Sequence, residues 1–366
     1  MEKSIAWITP RCFVETDIYA IELLSLEFKI DWYIIEPCVC DEYSQKIESF
    51  SKKGVRVNYV YLPAKNRSIK TLKCYYRLLK TIKTSNYDLV YNAIFGMPYY
   101  MPLEALLLPK DKVVIALHNV TTPKGAKASS FISKAYTNFV AHAFRNYHTF
   151  SLSQCNILKS IAKGANVFHI PFVLKDYGKS EKVPSDVITF LFFGQILDYK
   201  RLDVLIQAAE QTYAQTNKSF KVKIAGSCKE WSKYEALIKN KNLYDVCIRR
   251  IANEEIPDLF SSSHYFVMPY QDIAQSGAVI VAINYNLPVI ASALPAFKEY
   301  IIDNVNGRLM TPACLPELTQ IMVDIVNNHK NEYTKLKTGM KNTKSGKFSE
   351  DYIRNRYSQE FNNLIK

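Results

Sequence analysis

The chain has 366 residues, of which 48% are hydrophobic and 22% are charged. This length suits two domains of ordinary size, and the composition excludes a disordered or low-complexity protein. The formal net charge of +13 is uneven, because residues 1–180 hold 24 Lys/Arg and 14 Asp/Glu whereas the remainder holds 23 and 20. The first half is therefore predicted to present a basic surface to an anionic partner. Charge alone does not distinguish nucleic acid from anionic lipid.

The cysteines and the hydrophobic runs indicate where the protein works. Eight cysteines are present, and the closest pair, Cys38 and Cys40, lacks the spacing of a zinc site or a disulfide framework. We therefore expect free thiols in a reducing compartment. The run Ile5–Ile8 is too short for a signal-peptide core and is predicted to be a strand. No run reaches the ~18 apolar residues that span a bilayer, so we expect a cytoplasmic protein that meets the inner face of the cell membrane peripherally.

Short apolar or aromatic runs alternate with amphipathic segments along the chain. The strands predicted in the first half are Ile5–Ile8, Trp32–Ile35, Val55–Tyr61, Leu89–Tyr91, Val113–Leu117 and Val167–Ile170. Those predicted in the second half are Val187–Phe193, Val222–Ala225, Tyr265–Met268, Pro288–Ala291 and Arg308–Met310. Helices are predicted over Ser129–Arg145 and Leu202–Thr212. Continuous apolar strands that alternate with helices are typical of parallel α/β sheets.

The series of elements restarts after a polar segment at residues 176–186, which contains Gly178 and Pro184 and is predicted to be a linker. The fold class is therefore predicted to be α/β, with two Rossmann-like domains that face each other across a cleft. They comprise residues 1–175 and residues 187–348. Substrates of such domains bind outside the carboxyl ends of the strands. Residues 349–366 are predicted to form a helix that crosses back to the first domain.

The most informative stretch is LFFGQILDYKRLDVLI, residues 191–206. A strand runs into Gly194, a short polar loop follows, and a helix begins near Arg201. Glycine lets the backbone approach a ligand closely, and Lys200 places a cation beside the start of the helix. This arrangement suits an anion such as a diphosphate. The alternative is a tight strand-to-helix turn with an exposed lysine.

A second stretch, MPYQDIAQSGAV at residues 268–279, also follows a predicted strand. Ser276 and Gly277 stand at the start of the next helix, where unpaired backbone N–H groups and a hydroxyl can hold an anion. The alternative is that Ser276 only caps the helix. Two such loops in one half of the chain indicate an anion site more specifically than either loop alone.

These loops and the later PVIAS, PAFKEYI and NG segments resemble the donor domain of retaining glycosyltransferases of family 4, which have the GT-B fold and occur in bacterial surface-polysaccharide pathways such as those of O-antigen and capsule. The resemblance covers roughly residues 188–312, and it implies that residues 187–348 bind a nucleotide-sugar donor and residues 1–175 the acceptor. It implies that Lys200 binds the diphosphate and that the Ser276–Gly277 loop contacts the distal phosphate. The donor-binding residues taken from this region are Gly194, Gln195, Lys200, Arg201, Arg250, Ile251, Gln275, Ser276, Gly277 and Glu299, with Arg250 and Ile251 near the nucleobase.

The sequence departs from the family pattern at several positions. Gln195 and Leu197 stand where the family often has arginine, so the guanidinium of Arg201 is predicted to supply the missing positive charge. Two glutamates spaced eight apart, which normally flank the phosphate loop, are also absent. Asp272 is the nearby carboxylate predicted to hold sugar hydroxyls in their place.

In the first half, His118 follows the predicted strand Val113–Leu117 and matches a histidine that relatives place near the reacting sugar. A histidine at such a position can instead be a core residue with its hydrogen bonds satisfied. Asn119 is predicted to contact acceptor or donor hydroxyls, and Thr9 and Arg11 are acceptor-side candidates at the end of the first strand. The residues predicted to take part in catalysis are His118, Lys200 and Asp272.

A basic helix is predicted between Lys65 and Lys83, where seven Lys/Arg and no acid occur. Its basic face comprises Arg67, Lys70, Lys73, Arg77 and Lys80. The neighbouring apolar stripe comprises Ile69, Leu72, Tyr76, Leu79 and Ile82, and is expected to pack into the core. The basic face is predicted to lie on anionic lipid, at roughly 1 kcal/mol per charge. The alternative is a solvated basic side of an ordinary helix.

The resemblance implies retaining, metal-independent transfer of a hexose from a nucleotide-diphosphate sugar to a lipid-linked or oligosaccharide acceptor, with UDP favoured over GDP as the nucleotide. No Asp-x-Asp pair occurs in the sequence, and neither a cofactor nor a metal is expected. The alternatives are a nucleotide-sugar epimerase of the same fold and an inactive sugar-nucleotide-binding subunit. A nucleic-acid partner is not expected, since no recognition motif accompanies the charge.

Overall fold

The computed structural model describes residues 2–36, 47, 49, 50, 54–64, 68–93, 99–120, 131–273 and 275–365, without the side chains of 131–134 and 137. Two parts of the predicted helices, Arg67 and residues 129–130, lie outside the described residues. The pair Cys38 and Cys40 lies outside them as well. The described residues form two compact units. The first contains those within Met1–Val173 and Glu350–Lys366, and the second contains those within Leu174–Ser349.

The first unit is built on a parallel sheet, which has seven strands among the described residues. Its strands are β1 (Ser4–Pro10), β2 (Lys29–Glu36), β3 (Arg56–Tyr61), β4 (Leu89–Asn92), β5 (Val113–Leu117), β6 (Asn146–Thr149) and β7 (Asn166–His169). Their order is β3-β2-β1-β4-β5-β6-β7. The strand order therefore reverses between β1 and β4, and the carboxyl ends of these two strands flank the switch point.

One strand of this sheet was not predicted from the sequence. β6 reads Asn-Tyr-His-Thr and is polar in appearance, yet all four residues are buried. Their polar groups are satisfied inside the unit: Tyr147 Oη donates to the Val140 carbonyl at 2.7 Å, and His148 Nε2 lies 2.9 Å from the Ile170 carbonyl oxygen. Polar residues can therefore line a central strand because their hydrogen bonds are made by neighbouring segments.

Helices cover the faces of this sheet. They are α1 (Val14–Leu24), α2 (Ile69–Thr84), α3 (Tyr100–Leu107), α4 (Phe131–Ala143), α5 (Leu152–Ile161) and α12 (Glu350–Leu364). The C-terminal helix α12 inserts Tyr357 and Phe361 beside Trp7 and Tyr91, with ring centroids 5.7 to 6.4 Å apart for three of these pairs. All four side chains are buried, so α12 completes the core of the first unit.

The basic helix α2 begins after Ser68, whose hydroxyl accepts a hydrogen bond from the Thr71 N–H at 3.1 Å. Its buried residues are Thr71, Tyr75, Leu78, Leu79 and Ile82. The predicted apolar stripe is therefore wrong in part, because Ile69 is 70% exposed and Tyr76 is 46% exposed. The core contact follows the spacing of Thr71, Tyr75, Leu78 and Ile82 instead. Lys70, Lys73, Arg77 and Lys80 are exposed.

The second unit also contains a parallel sheet, with six strands among its described residues in the order β10-β9-β8-β11-β12-β13. The strands are β8 (Thr189–Phe193), β9 (Lys221–Ala225), β10 (Tyr244–Cys247), β11 (Tyr265–Met268), β12 (Val289–Ser292) and β13 (Gly307–Met310). β10 was not predicted, because this short edge strand includes the exposed residues Asp245 and Val246. The strand order reverses between β8 and β11.

The helices of the second unit are α6 (Leu202–Thr216), α7 (Trp231–Glu235), α8 (Ile256–Ser261), α9 (Gly277–Asn284), α10 (Pro295–Lys298) and α11 (Leu315–Ser345). Gly339 lets α11 pack closely, since a Cβ at this position would lie 1.9 Å from the Val305 carbonyl oxygen. The predicted α/β class with two Rossmann-like sheets is confirmed.

Candidate diphosphate site

The two predicted anion-binding loops lie at the switch point of the second sheet. The first loop follows β8 and the second follows β11, which is the neighbour of β8 in the sheet. A backbone hydrogen bond joins the loops, from the Gln271 N–H to the Tyr199 carbonyl at 2.8 Å. The Tyr199 and Tyr270 rings meet edge to face, with centroids 6.0 Å apart. The topology thus brings together two loops that are distant in sequence.

Glycines at the carboxyl ends of β8 and β9 allow an unusually close backbone approach. Gly194 has a φ of +103° and donates its N–H to the Ala225 carbonyl at 2.9 Å. Gly226 has a φ of +153°, and a Cβ there would lie 2.0 Å from the Gly194 carbonyl oxygen. Gly226 was not singled out from the sequence, although it directly follows the predicted strand Val222–Ala225. Both positions need glycine, because a side chain would collide with backbone or require a strained φ.

Lys200 is held against the first of these glycines. A 3₁₀ turn, Asp198–Lys200, closes through a hydrogen bond from the Lys200 N–H to the Leu197 carbonyl at 2.9 Å. The ammonium lies 3.2 Å from the position that a Cβ on Gly194 would occupy, and 5.5 Å from the centre of the Tyr270 ring. Burial lowers the pKa of Lys200 to about 8. Lys200 is therefore not the exposed turn lysine of the alternative interpretation, and burial disfavours its charged form until an anion compensates it.

Arg201 does not supply a spare positive charge, so this prediction is wrong. Its backbone is left-handed, with a φ of +52°. In this conformation its Nη2 lies 2.8 Å from Asp203 Oδ2 and its Nε lies 3.0 Å from Asp203 Oδ1. Its Nη1 also donates to Gln271 Oε1 at 3.1 Å. The charge of Arg201 is therefore matched by Asp203, and the side chain links the two loops.

The second loop ends at the start of α9. Ser276 precedes the helix and is buried, yet its side chain makes no capping hydrogen bond to any described N–H group. The alternative that Ser276 only caps the helix is therefore wrong. Gln275 Nε2 is shielded from solvent and has no hydrogen-bond acceptor among the described residues. The helix start thus keeps its positive end available to an anion.

A second lysine, which sequence reasoning missed, reaches the same helix start. Lys175 is 9% exposed, and its Nζ lies 3.6 Å from the position of a Cβ on Gly277. Its position next to the predicted linker gave no indication of a site. Hydrogen bonds to Tyr285, which follows α9, hold the segment after Lys175 in place. The Tyr177 N–H donates to Tyr285 Oη at 3.1 Å, and Tyr285 Oη donates to the Gly178 carbonyl at 3.0 Å.

The remaining donor-side candidates lie on several loops of the second unit. Gln195 is exposed after β8, and Asp272 is half-buried after β11. Arg250 is exposed and Ile251 half-buried beyond the end of β10. Glu299 follows α10, and its carbonyl accepts a hydrogen bond from Lys347 Nζ. Among the predicted donor residues, Gly194, Lys200 and Arg201 lie together on the first loop, where Lys200 Nζ approaches Gly194 and the Arg201 N–H closes the turn on the Asp198 carbonyl.

In the first unit, His118 follows β5 and lies between two aromatic rings. Its ring is stacked on Phe13, with centroids 3.7 Å apart, and on Phe150 at 4.5 Å. His118 is 9% exposed, whereas its neighbour Asn119 is exposed. The stacking fixes the plane of the imidazole at the carboxyl edge of the sheet.

Thr9 is not an open acceptor-side residue, and this prediction is wrong. Its side chain is completely buried, donates to Asp17 Oδ2 at 2.7 Å and accepts from Trp32 Nε1 at 2.9 Å. The hydroxyl thus uses its O–H and one acceptor lone pair within the core. Arg11 instead is half-buried, with its Nη1 3.5 Å from Glu36 Oε1 at the carboxyl ends of β1 and β2. Burial raises the pKa of Glu36, and the Arg11 charge opposes this.

Two kinds of site are not found in the part of the chain that the structure describes. Its His, Cys, Asp and Glu side chains form no group of three or more that could hold a metal ion. None of its helices combines the length and the apolar character needed to cross a membrane.

The sequence comparisons place this site within a known domain type. Residues 175–341 match the family model described as "Glycosyl transferases group 1". A curated relative, an uncharacterized glycosyltransferase from Methanocaldococcus jannaschii, is 24% identical over 139 residues. That alignment covers 38% of each protein, so it spans well under half of the relative's length.

Solved structures match over nearly the whole chain. A glycosyltransferase from Rickettsia africae has a TM-score of 0.76 at 16% identity, with 100% of this chain and 99% of that chain covered. Anabaena HepE, crystallised with UDP and glucose, has a TM-score of 0.74 at 15% identity, with 99% and 100% covered. The chain therefore has the GT-B fold, and its residues 175–341, which include both loops of the site, are similar to group 1 glycosyltransferases.

Proposed function

We propose that this protein is a retaining glycosyltransferase that moves a hexose from a UDP-sugar to an acceptor without a metal ion. The observation that carries the proposal is the diphosphate site at the switch point of the second sheet. There a half-buried lysine, two glycine backbones and the start of α9, which Ser276 does not cap, lie on loops that follow neighbouring strands. UDP is favoured because HepE, which has the same fold, was crystallised with UDP and glucose.

The chemistry follows from the charge that develops on the leaving group. As the bond between the sugar and the diphosphate breaks, negative charge accumulates on the phosphate oxygens. Lys200 and the N–H groups at the start of α9 would stabilise this charge, and fixed groups of this kind need no reorganisation during the reaction. The partial burial of Lys200 strengthens its interaction with the phosphate, because the local dielectric is lower than in water.

Other residues would position the sugar and the nucleobase. Asp272 and Glu299 would bind sugar hydroxyls, Gln195 and Gln275 would line the donor loops, and the backbone at Arg250 and Ile251 would meet the base. In the first unit, His118 is the proposed sugar-contacting residue, held in plane by Phe13 and Phe150. Arg11 and Asn119 are the proposed acceptor-side residues.

The first test is a screen of donor nucleotides by thermal shift, followed by product analysis. We expect UDP and a UDP-sugar to raise the melting temperature, and GDP to raise it less. The anomeric configuration of the product, read by NMR, should match that of the donor. If no nucleoside diphosphate stabilised the protein, the proposed function would be wrong.

A second candidate is an inactive sugar-nucleotide-binding subunit. It is favoured by the absence of the paired glutamates, since Ile273 and Val281 occupy their places. This candidate predicts UDP-sugar binding without transfer or hydrolysis. An epimerase would instead convert the UDP-sugar without any acceptor, so incubation with and without acceptor extracts separates the three activities.

We further propose a lipid-linked acceptor at an anionic membrane, as in bacterial O-antigen or capsule synthesis. The surface that supports this proposal is the outer side of α2, where Lys70, Lys73, Arg77 and Lys80 are exposed together with two large apolar side chains, Ile69 and Tyr76. Cations attract anionic headgroups, and neighbouring apolar side chains gain by entering the interface.

Vesicle binding tests this surface. Charge reversal of Lys70, Lys73 and Arg77 to Glu should weaken binding to vesicles containing anionic phospholipid by at least about 100-fold. The matched control reverses Lys110, Lys159 and Lys163, which are exposed elsewhere on the first unit. Equal loss of binding in both triple variants would show that net charge, and not the α2 surface, controls the association.

A further inference from the structure

The proposed diphosphate site carries less positive charge than its ligand. Lys200 is the cation beside Gly194, and Arg201 is neutralised by Asp203. We infer that Lys175 is a second diphosphate-binding cation, which holds the distal phosphate at the start of α9. This inference rests on the proposed function, in which the Ser276–Gly277 loop contacts that phosphate.

The geometry of Lys175 depends on the missing side chain of Gly277. The Lys175 Nζ and Cε lie 3.6 and 4.0 Å from the position of a Cβ on Gly277. They occupy the space beside the first helical residue, and Lys175 is 9% exposed. An ammonium at this position can reach a phosphate that accepts hydrogen bonds from the N–H groups of the same helix turn.

The segment that carries Lys175 is tied to the other end of the same helix. Tyr285 directly follows α9, and its hydroxyl accepts from the Tyr177 N–H and donates to the Gly178 carbonyl. Farther along, Ser180 Oγ donates to Asp258 Oδ1 at 2.7 Å. The segment therefore contacts both ends of α9 through side chains: that of Lys175 reaches Gly277 at the N-terminal end, and that of Tyr285 reaches back to the segment from the C-terminal end.

The charges at this helix start also point to an anionic ligand. A helix N-terminus carries a partial positive charge, so a lysine is electrostatically favoured at the opposite end. Here Lys175 is buried against the positive end, and Gln275 Nε2 is a shielded donor without an acceptor among the described residues. A phosphate at this position would compensate the helix dipole and would accept a hydrogen bond from Gln275 Nε2.

The experiment compares UDP with UMP, measured by calorimetric titration. Lys175→Met should weaken UDP binding by about tenfold to a hundredfold and leave UMP binding nearly unchanged, because UMP lacks the distal phosphate. Lys175→Arg keeps a cation and should restore most of the UDP affinity. The matched control is Lys179→Met, an exposed lysine of the same segment, which should bind both nucleotides like the wild type.

Three results would overturn the inference, each in a different way. UDP binding by Lys175→Met at the affinity of Lys179→Met would show that Lys175 takes no part. Equal losses of UDP and UMP binding would assign Lys175 a role in maintaining the structure of the segment. Failure of the wild-type protein to bind UDP would remove the proposed function together with this inference.

Discussion

The pKa of Lys200 predicts how the affinity for UDP depends on pH. Burial lowers this pKa from 10.5 to about 8, and a diphosphate binds the charged ammonium. The apparent Kd should then scale with the factor 1 + 10^(pH − pKa). Between pH 7 and pH 9.5 this factor weakens UDP binding about 30-fold, whereas a lysine with the ordinary pKa would change it by less than about 1.2-fold.

Calorimetric titration with UDP at several pH values and constant ionic strength measures this effect. Phosphate groups with a second pKa near ~6 are fully ionised over most of the range, and constant salt keeps the screening fixed. Lys200→Arg is the control, because its guanidinium stays charged at every pH used. This variant should bind UDP with an affinity that is nearly independent of pH.

Two results would refute the reasoning. A constant Kd for the wild-type protein from pH 7 to 9.5 would mean that Lys200 has an ordinary pKa or does not contact the nucleotide. A slope that persists in Lys200→Arg would assign the titration to another group.

Three further predictions concern stability. The pKa of Lys200 is about 8 in the folded protein and 10.5 in the unfolded chain. Below pH 8 the charged lysine therefore lowers the free energy of unfolding by about 3 kcal/mol. Lys200→Met should raise the Tm at pH 7, and this gain should disappear above pH 10.5. Gly339→Ala should lower the Tm by several degrees, because its Cβ would collide with the Val305 carbonyl, whereas Lys341→Ala, exposed on the same helix, should not. Burial raises the pKa of Asp17 to about 7, so the folded state binds this proton more tightly than the unfolded chain does, and stability falls as the pH rises from 4 to 7. Asp17→Asn should remove up to about 4 kcal/mol of this fall. Wild-type denaturation curves that are the same at pH 5 and pH 8 would contradict the assignment.

The sequence alone predicts the elements whose hydrophobic pattern is regular. β11 was predicted with its observed bounds, because Tyr265–Met268 is a continuous apolar run between helical segments. β6 was missed because its polar residues obtain hydrogen-bond partners from other segments, and β10 was missed because it is a short edge strand with exposed residues. The stripe of α2 was misplaced because two large apolar residues, Ile69 and Tyr76, are exposed while Thr71 is buried.

The site was predictable where its residues follow strands directly. Gly194 and Lys200 lie on the one loop that follows β8, so their closeness in sequence indicates their closeness in space. The charge balance was not predictable, because it depends on the left-handed backbone of Arg201, which turns its guanidinium towards Asp203. Lys175 escaped notice for a similar reason: its position comes from the hydrogen bonds of Tyr285, more than 100 residues later in the chain.

Because α12 belongs to the first unit, it affects the order in which the two units can fold during synthesis. The second unit is contiguous, since its described residues lie within Leu174–Ser349, and it can fold as soon as that stretch has emerged. The first unit cannot complete its core at that stage, because Trp7 and Tyr91 lack their contacts with α12 until Tyr357 and Phe361 have been synthesised. Domains usually complete folding in N-to-C order during synthesis, but here the half that is made first would finish last. Its unfinished apolar face would be exposed to chaperones throughout the translation of the other half.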